Sequence, residues 1–378
     1  MKVNQEWLEE WAKSGLGAEE LCERLTMAGL EVDSATPVSG AFDGVVVGKV
    51  LSCEKHPDSD HMHVTTVDTG AGRILNIVCG APNCRAGLKV CTAIPGAHVG
   101  ELTITRRTLR GVASEGMLCS FKELGMAESS EGIIELPEDA PLGEDVRAYL
   151  KADDVCIDID LTTNRPDCLS VIGVAREVAV LTGAPLKSRE VKEVPPGSDE
   201  RFKVTLVPGA GCPRYLARVI RGVNQHAKSP LWMVERLRRC GIRAISPIVD
   251  VTNYVMLERG QPLHSFDLNK LDGAITVRRA HEGEHITVLS GEELTLSENT
   301  LLITDDKLSL SPSDGHHGVD SLYSRLKRLL NGLPVYYSGS RRFNGPIFIR
   351  LYGARSVYRL SNGVYNPAYH LFAYGNGN

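Results

Sequence analysis

The spacing of apolar residues changes along the chain, and each change marks a predicted segment. Over residues 1–39, Leu21 and Leu25 are one helical turn apart and Gly29 follows them, which predicts a short helical unit. Residues 40–150 instead hold short apolar runs that are closely punctuated by Gly and Pro. That pattern is typical of a small β-barrel or sandwich.

Helical spacing returns in residues 151–195, where Gly183 follows an apolar face as a predicted cap. The Pro-rich run VKEVPPGSDE then predicts a domain boundary. Residues 200–320 mix strand-like runs with one clear helix, SPLWMVERLRRCG, for which Ser229 is the expected N-cap. The order of these patterns predicts an α+β, multidomain protein.

Composition excludes several classes of protein. The formal net charge of −5 argues against a generally basic nucleic-acid binder. No run approaches the ~18 apolar residues of a membrane span, and the start MKVNQEWLEEW lacks the apolar core of a signal peptide. We therefore expect a cytoplasmic protein without a membrane partner, whose ten Cys are free thiols.

The run VDVTNYVMLERGQPLHSFD places polar residues inside otherwise apolar sequence. Buried polar groups need hydrogen-bond partners, and a pocket for a polar ligand would supply them to Thr252, Asn253 and His264. A lone His is also compatible with a satisfied structural residue, so the residues alone leave both interpretations open.

Two other clusters are interpreted as structural. In LTTNRPDCLS, the polar residues Asn164, Arg165 and Asp167 predict a turn that joins domains and is held by bonds from side chains to backbone. A group of His and Cys lacks the paired CxxC spacing of a zinc site, so we expect small buried thiols and no metal. Its members are His56, His61, His63, Cys53, Cys79 and Cys84.

Three stretches resemble the β-subunit family of bacterial phenylalanyl-tRNA synthetase. The first, from VVVGKVLSCEKHPDSDHMHVTTVDTG to RGVASEGMLCSFKELG, is similar to a tRNA-binding OB-fold. The second, LTTNRPDCLSVIGVAREVAVLTG, is similar to the subunit's own signature, and the third, SPIVDVTNYVMLERGQPLHSFDLNKL, to its editing motif. The resemblance covers about residues 1–305. It implies a helical domain split between 1–39 and 151–195, an OB-fold barrel at 40–150, and an incomplete editing domain at 200–320.

The resemblance also implies a function: tRNA binding, assembly with an α subunit and hydrolytic editing of tyrosyl-tRNA(Phe). By position, Thr252, Asn253, Gln261 and Pro262 would line the editing pocket, and His264 would be its catalytic residue, orienting the ester end of the substrate. In the family, aminoacylation takes place in the α subunit with ATP and magnesium. We therefore expect no cofactor in this chain, no aminoacylation by it alone, and an assembly of two α and two β subunits with tRNA(Phe).

The barrel-like segment is poorly supplied with positive charge. Residues 40–150 hold ten Lys/Arg against fifteen Asp/Glu, and only Arg106, Arg107 and Arg110 cluster as candidate tRNA-binding residues. Since affinity for RNA follows the number of neutralised phosphates, the alternative is a structural or weak auxiliary role for this segment. Two further functions stay open for the chain: a non-enzymatic tRNA-binding accessory protein and a purely structural assembly subunit.

Residues 321–378 differ from the rest of the chain. They contain no Asp or Glu, eight Lys/Arg and eight of the 11 Tyr. The codons of DGHHG at 314–318, read one base later, can encode Met-Ala-Ile-Met-Gly, which is close to the family's pattern at this point. A shifted reading frame explains these features, and a divergent basic tail is the alternative. In either case the family's second pocket wall, with an acid that binds the tyrosine hydroxyl, would be missing, so we expect impaired editing.

Overall fold

The N-terminal residues form the short helical unit expected from their apolar spacing. Leu21 and Leu25 are the two residues that the second helix buries, and Gly29 follows that helix with a φ of 86°. The elements of this segment are β1 (Lys2–Asn4), α1 (Gln5–Glu9), α2 (Ala18–Met27) and β2 (Glu31–Pro37).

The computed structural model divides the chain into two compact units. One unit comprises residues 35–156, and the other comprises 1–34 together with the chain from residue 157 onward. Helices and strands mix within the chain, which confirms the α+β class. None of the helices in the described residues is long and apolar enough to cross a membrane. The described residues are 1–188, 191–212, 214–224, 226–261, 263–287, 293–306, 335–336 and 347–352.

The unit of residues 35–156 is built on one sheet of seven strands, with a separate two-stranded hairpin. Its elements are β3 (Phe42–Lys55), β4 (His63–Asp68), β5 (Ile74–Cys79), β6 (Lys89–Val99), β7 (Leu102–Thr103), β8 (Arg107–Leu109), β9 (Val112–Ser114), β10 (Met117–Leu118), β11 (Glu135–Leu136) and α3 (Val146–Tyr149). Five strands pair in the order β10-β6-β3-β4-β5, and β7 and β11 pair with β6. Alternate residues of these strands, among them Val50, Val67 and Ile77, form its core.

The rest of the chain contributes helices and several small sheets. Its elements are β12 (Val155–Asp160), α4 (Val171–Thr182), β13 (Val204–Leu206), β14 (Tyr215–Ile220), α5 (Leu231–Arg239), α6 (Pro247–Arg259), β15 (Leu263–Asp267), β16 (Ile275–Arg279), β17 (His285–Thr287), β18 (Glu293–Thr295), β19 (Leu301–Thr304), β20 (Val335–Tyr336) and β21 (Ile347–Tyr352), with 3₁₀ turns at Pro166–Cys168 and Leu268–Lys270. The sheet orders are β1-β12-β2, β13-β16-β19-β20, β14-β21-β15 and β17-β18.

Helix α4 joins the N-terminal residues to the chain that follows residue 157. It packs against α1 and α2. Ser170 caps its start by accepting the N–H of Gly173 at 3.0 Å, and Gly183 ends it in the left-handed region. A Cβ on Gly173 would lie 1.9 Å from the carbonyl oxygen of Asp167, so only glycine fits where α4 packs against the preceding 3₁₀ turn.

The expectation that Ser229 caps α5 is wrong. Pro230 is the N-cap residue, and the helix begins at Leu231. The Ser229 hydroxyl instead donates to the buried carboxylate of Asp250, which lies in α6. This hydrogen bond to a charged acceptor orients the Ser229 side chain toward α6.

Only two short parts of the tail are described. β21 pairs antiparallel with both β14 and β15, and β20 pairs parallel with β19. The other residues of 321–378 lie outside the described residues, so the shifted reading frame stays a prediction.

Candidate functional site

Helix α6, the turn after it and strand β15 hold most of the predicted pocket residues. Pro247 occupies the first turn of α6, where its fixed φ suits the helix and no N–H is needed. Gly260 ends α6 with a φ of 72°, a conformation that favours glycine and lets the chain reverse direction. β15 then packs back against α6. The sequence therefore builds a helix–turn–strand unit around its polar residues.

The predicted pocket residues occupy three parts of this unit. Thr252 and Asn253 lie in α6, and Gln261 lies in the turn. His264 is the second residue of β15, where its backbone is in register with Arg350 of β21. Pro262 lies outside the described residues, as does the side chain of His264. Their assignment to a pocket stays a prediction.

The two polar residues of α6 differ in how they are satisfied. Thr252 donates its hydroxyl to the carbonyl oxygen of Val249 at 2.8 Å, so the helix itself satisfies it. Asn253 is 2% exposed, and its side-chain oxygen has no hydrogen-bond partner among the described residues. An unsatisfied buried acceptor costs about 1–3 kcal/mol, so Asn253 is the group that a bound donor would stabilise.

Asp250 is a third buried polar residue of α6, and the sequence reasoning missed it. Its carboxylate is 1% exposed and accepts the N–H of Ile245 at 2.8 Å and the hydroxyl of Ser229. These bonds hold the chain before α6 to the start of α5. The available signal was an acid inside the apolar run IVDVTN, three residues before Asn253.

Tyr254 lies at the centre of an aromatic–arginine cluster on α6. Its ring stacks on Trp7 with a centroid distance of 5.1 Å and meets the edge of Trp232 at 5.3 Å. Its hydroxyl donates to Glu258 at 2.9 Å and accepts from Arg236 at 3.0 Å. Burial, followed by the charge of Glu258, raises the pKa of Tyr254 to about 12, so the hydroxyl stays protonated at neutral pH.

The polar turn before α4 is held by an arginine. Asp167, Cys168 and Glu177 bring three possible metal-ligand atoms within 4.8 Å of one another. The Arg165 guanidinium contacts all three, at 3.0 Å from Asp167, 3.0 Å from Cys168 and 2.9 Å from Glu177. It supplies the positive charge that a metal ion would supply. These side-chain pairs hold the turn, and the Asp167 carboxylate also accepts its own backbone N–H, as the predicted bonds to backbone require.

The cysteines agree with the expectation of free thiols. All ten are free, and Cys79, Cys84 and Cys91 are buried as predicted. His56 is buried as well, and both of its ring nitrogens have partners. Its Nε2 lies 3.1 Å from the carbonyl oxygen of Leu109, and its Nδ1 accepts the N–H of Asp58 at 3.1 Å.

The candidate tRNA-binding arginines lie on or beside the β8–β9 hairpin. Arg106, Arg107 and Arg110 are all exposed. Arg106 lies 4.0 Å from Glu115, and Arg110 donates to the carbonyl oxygen of Asp58 at 3.0 Å. The structure brings the three side chains to one hairpin, although part of their charge already has partners within the protein.

Known proteins match the chain in the regions just described. Residues 45–145 match the family model of a putative tRNA binding domain, and residues 211–317 match that of the B3/4 domain. The phenylalanine–tRNA ligase β subunit of Dickeya dadantii is 54% identical over 312 residues, which are 82% of this chain and 39% of that protein. The β subunit of Pectobacterium atrosepticum is 53% identical over 312 residues, again 82% of this chain and 39% of that protein. This chain is a homologue of phenylalanine–tRNA ligase β subunits.

The resemblance to the phenylalanine–tRNA ligase β subunit is thereby confirmed, but the chain spans only 39% of the length of these curated relatives. Among solved structures, an N-terminal fragment of the phenylalanyl-tRNA synthetase β subunit from Pyrococcus horikoshii is 13% identical, with a TM-score of 0.30. That match covers 93% of this chain and 67% of the fragment. The B3/4 match contains Asn253 and His264, and the tRNA-binding match contains the three arginines.

Proposed function

We propose that the chain contributes tRNA binding, assembly with an α subunit and hydrolytic editing of tyrosyl-tRNA(Phe) to a cytoplasmic phenylalanine–tRNA ligase. Its relatives and the B3/4 match at 211–317 support this proposal. The observation that carries the editing part is the buried side-chain oxygen of Asn253, which has no partner among the described residues. A buried acceptor left open beside a predicted pocket suits a polar ligand.

The reaction would be hydrolysis of an activated ester. A positioned water and hydrogen bonds to the developing oxyanion suffice for such a substrate, so no protein nucleophile is required. In the proposed site, His264 orients the ester end and Asn253 accepts a hydrogen bond from the substrate. The packing of α6 against β15 supports the pairing, since it brings positions 253 and 264 onto neighbouring elements.

Discrimination of tyrosine would need the second wall of the pocket. No Asp or Glu follows Asp320, so the acid expected to bind the tyrosine hydroxyl is missing from the chain as written. The loss of a hydrogen bond between a charged group and a buried hydroxyl costs on the order of 1.5–3 kcal/mol, or roughly ten- to a hundredfold in rate. The proposed editing activity is therefore weak in this chain.

Hydrolysis of tyrosyl-tRNA(Phe) tests the editing proposal. The chain as written is compared with a version in which residues 307–378 are replaced by the corresponding segment of the Dickeya dadantii subunit. We expect slow hydrolysis by the first and clear hydrolysis by the second, with loss of most of it on His264→Ala. Brisk, tyrosine-selective hydrolysis by the chain as written would contradict the proposed pocket.

The β8–β9 hairpin would supply the tRNA contact. OB-fold barrels bind nucleic acid through a basic groove, and the match of residues 45–145 to a putative tRNA binding domain supports such a barrel here. If Arg106 and Arg107 contact phosphates, their replacement by Ala should reduce the salt dependence of tRNA binding by about one counterion each. A filter-binding assay with tRNA(Phe) over a salt series measures this. An unchanged salt slope would favour the structural role.

Assembly with the α subunit is the third part of the proposal. The complete enzyme would contain two α and two β subunits, and ATP and magnesium would act in the α subunit. Co-purification of a tagged chain with its α subunit tests this part. The absence of phenylalanine-dependent ATP–pyrophosphate exchange by the chain alone would agree with it.

A further inference from the structure

Three cysteines gather where strand β5 ends, in the unit of residues 35–156. Cys79 is the last residue of β5, Cys84 lies in the turn before β6, and Cys53 lies on β3. All three belong to one apolar cluster, in which Cys79 is 6% and Cys84 7% exposed. The proposed function uses none of these thiols.

The turn after β5 holds the sulfurs of Cys79 and Cys84 together. The Cys84 N–H donates to the carbonyl oxygen of Ala81 at 3.2 Å, which closes the turn. The Cys79 sulfur accepts the N–H of Ala81 at 3.4 Å and a hydrogen bond from the Cys84 thiol. The Cys53 thiol donates to the carbonyl oxygen of Cys84 at 3.6 Å and fixes the turn from β3. The turn therefore holds the two cysteines in one apolar cluster, five residues apart in the sequence.

These contacts make the two thiols chemically different. The hydrogen bond from Cys84 lowers the pKa of Cys79 to about 7, although burial opposes this shift. The hydrogen bond from the N–H of Ala81 also lowers the pKa of Cys79. The hydrogen bond between the two thiols raises the pKa of Cys84, which keeps its proton. Cys119, by contrast, is fully buried, and burial raises its pKa to about 12. Since the thiolate is the reactive form, the hydrogen bonds that the Cys79 sulfur accepts favour this residue as the nucleophile.

A metal ion explains this cluster less well. In the described part of the chain, the only three His, Cys, Asp or Glu side chains whose ligand atoms lie within 4.8 Å of one another are Asp167, Cys168 and Glu177. The thiols of Cys53, Cys79 and Cys84 are therefore too far apart for a shared tetrahedral ion. Gly80 and Arg85, which each follow one of the two cysteines, are exposed, so the turn is open to a small reagent.

We propose that Cys79 and Cys84 form a redox-active dithiol that hydrogen peroxide converts into a reversible disulfide. The Cys79 thiolate attacks one peroxide oxygen; an S–O bond forms, the O–O bond breaks, and the departing hydroxide takes up a proton to become water. Cys84 then attacks the sulfur of the Cys79 sulfenic acid, and the hydroxyl group leaves with the Cys84 proton as a second water. Both thiols are oxidised, and one peroxide is reduced to two waters.

The test uses the full chain, treated with hydrogen peroxide at neutral pH, alkylated and digested with trypsin. Residues 74–85, ILNIVCGAPNCR, contain both cysteines in one tryptic peptide, while Cys91 and Cys119 fall in separate peptides of the same digest. We expect the first peptide to lose two hydrogen atoms, to recover them with dithiothreitol, and to react before the other two. Without peroxide, Cys79 should be alkylated at least about tenfold faster than Cys119.

Two variants separate the roles. Cys84→Ser should stop at a sulfenic acid on Cys79 that dimedone traps, and Cys79→Ser should leave Cys84 unreactive. Thermal unfolding of both variants checks that they fold. If either variant does not fold, oxidation of the 74–85 peptide in the wild-type chain still tests the proposal. A 74–85 peptide that stays reduced while Cys91 or Cys119 is oxidised would overturn the proposal. Tightly bound zinc that is lost in Cys79→Ser would overturn it as well.

Discussion

Two neighbouring polar residues of helix α6 differ in whether their side chains have hydrogen-bond partners. Tyr254 has a partner for each role of its hydroxyl, Glu258 as acceptor and Arg236 as donor, and its ring is stacked on Trp7. Asn253, the preceding residue, is more deeply buried, yet its side-chain oxygen has no partner in the described part of the chain. The Tyr254 hydroxyl is thus satisfied, whereas the oxygen of the adjacent Asn253 is not.

The difference separates what stabilises this helix from what is available to a ligand. Satisfied buried networks rigidify a core, whereas an open buried acceptor costs stability that only a partner restores. The Tyr254 side therefore acts as the support of α6, and the Asn253 side as the candidate ligand surface. Stability and activity should then respond to different substitutions.

The largest stability effect should come from Trp7→Ala. Trp7 is 1% exposed, stacks on Tyr254 and lies 5.1 Å from the Arg236 guanidinium, so its removal creates a cavity under the cluster. We expect a loss of about 3–5 kcal/mol in the free energy of unfolding, measured by urea denaturation. Trp232→Ala is the matched control, because Trp232 is 52% exposed and its edge contact is worth about 1 kcal/mol. Equal losses in both variants would show that the cluster does not support α6.

A smaller effect is expected from Tyr254→Phe. The ring stays stacked, but Glu258 and Arg236 lose the hydroxyl between them. The free energy of unfolding should fall by about 1–2 kcal/mol in the same urea assay. A double-mutant cycle with Glu258→Gln gives the coupling energy between the two side chains. Additive losses would show that the hydrogen bond between them does not stabilise the fold.

The protonation of Tyr254 gives a pH test of the same contact. Its pKa is raised to about 12 in the folded chain, whereas an unperturbed Tyr titrates near 10, so folding favours the neutral hydroxyl. The contribution of the neutral Tyr254 hydroxyl to the free energy of unfolding is complete below about pH 10 and is lost as the pH rises toward 12. Thermal unfolding of the wild type should show this alkaline loss. Tyr254→Phe should show less of it, and an identical alkaline profile would contradict the assignment.

The smallest stability effect is expected from Asn253→Leu. This substitution removes the unsatisfied oxygen and keeps the branching of the side chain at Cγ, so the free energy of unfolding should stay within about 1 kcal/mol of the wild-type value or rise. Urea denaturation measures it beside Thr252→Val, which removes a hydroxyl that is bonded to the Val249 carbonyl. A loss above about 2 kcal/mol for Asn253→Leu would mean that Asn253 has a partner that stabilises the fold.

The sequence predicts local features of this fold well. The spacing of Leu21 and Leu25 and the caps at Gly29 and Gly183 predict α2 and α4, because helix formation and helix ends depend on residues within a few positions. Ser229 was assigned wrongly because its partner, Asp250, lies 21 residues away along the chain. The pairing of β21 with β14 and β15 joins even more distant residues, which no local pattern encodes.

The candidate site was predictable only in part. Polar residues in an apolar run single out Thr252 and Asn253, since such residues need partners. Which of the two is satisfied depends on a hydroxyl bond to Val249 that requires coordinates. Asp250 has the same sequence signal, but its role follows from contacts to Ile245 and Ser229. Residue types therefore indicate where a site lies, and geometry indicates which groups are open.

The central claim is that the Asn253 side of α6 serves the ligand and the Tyr254 side serves the fold. The most direct test is the rate of tyrosyl-tRNA(Phe) hydrolysis per folded molecule, measured in the version carrying the Dickeya dadantii segment in place of residues 307–378. We predict that Asn253→Leu lowers this rate at least about tenfold without loss of stability. Tyr254→Phe should keep the rate within about twofold while it lowers stability. The reverse pattern, full hydrolysis by Asn253→Leu and loss by Tyr254→Phe, would contradict the claim.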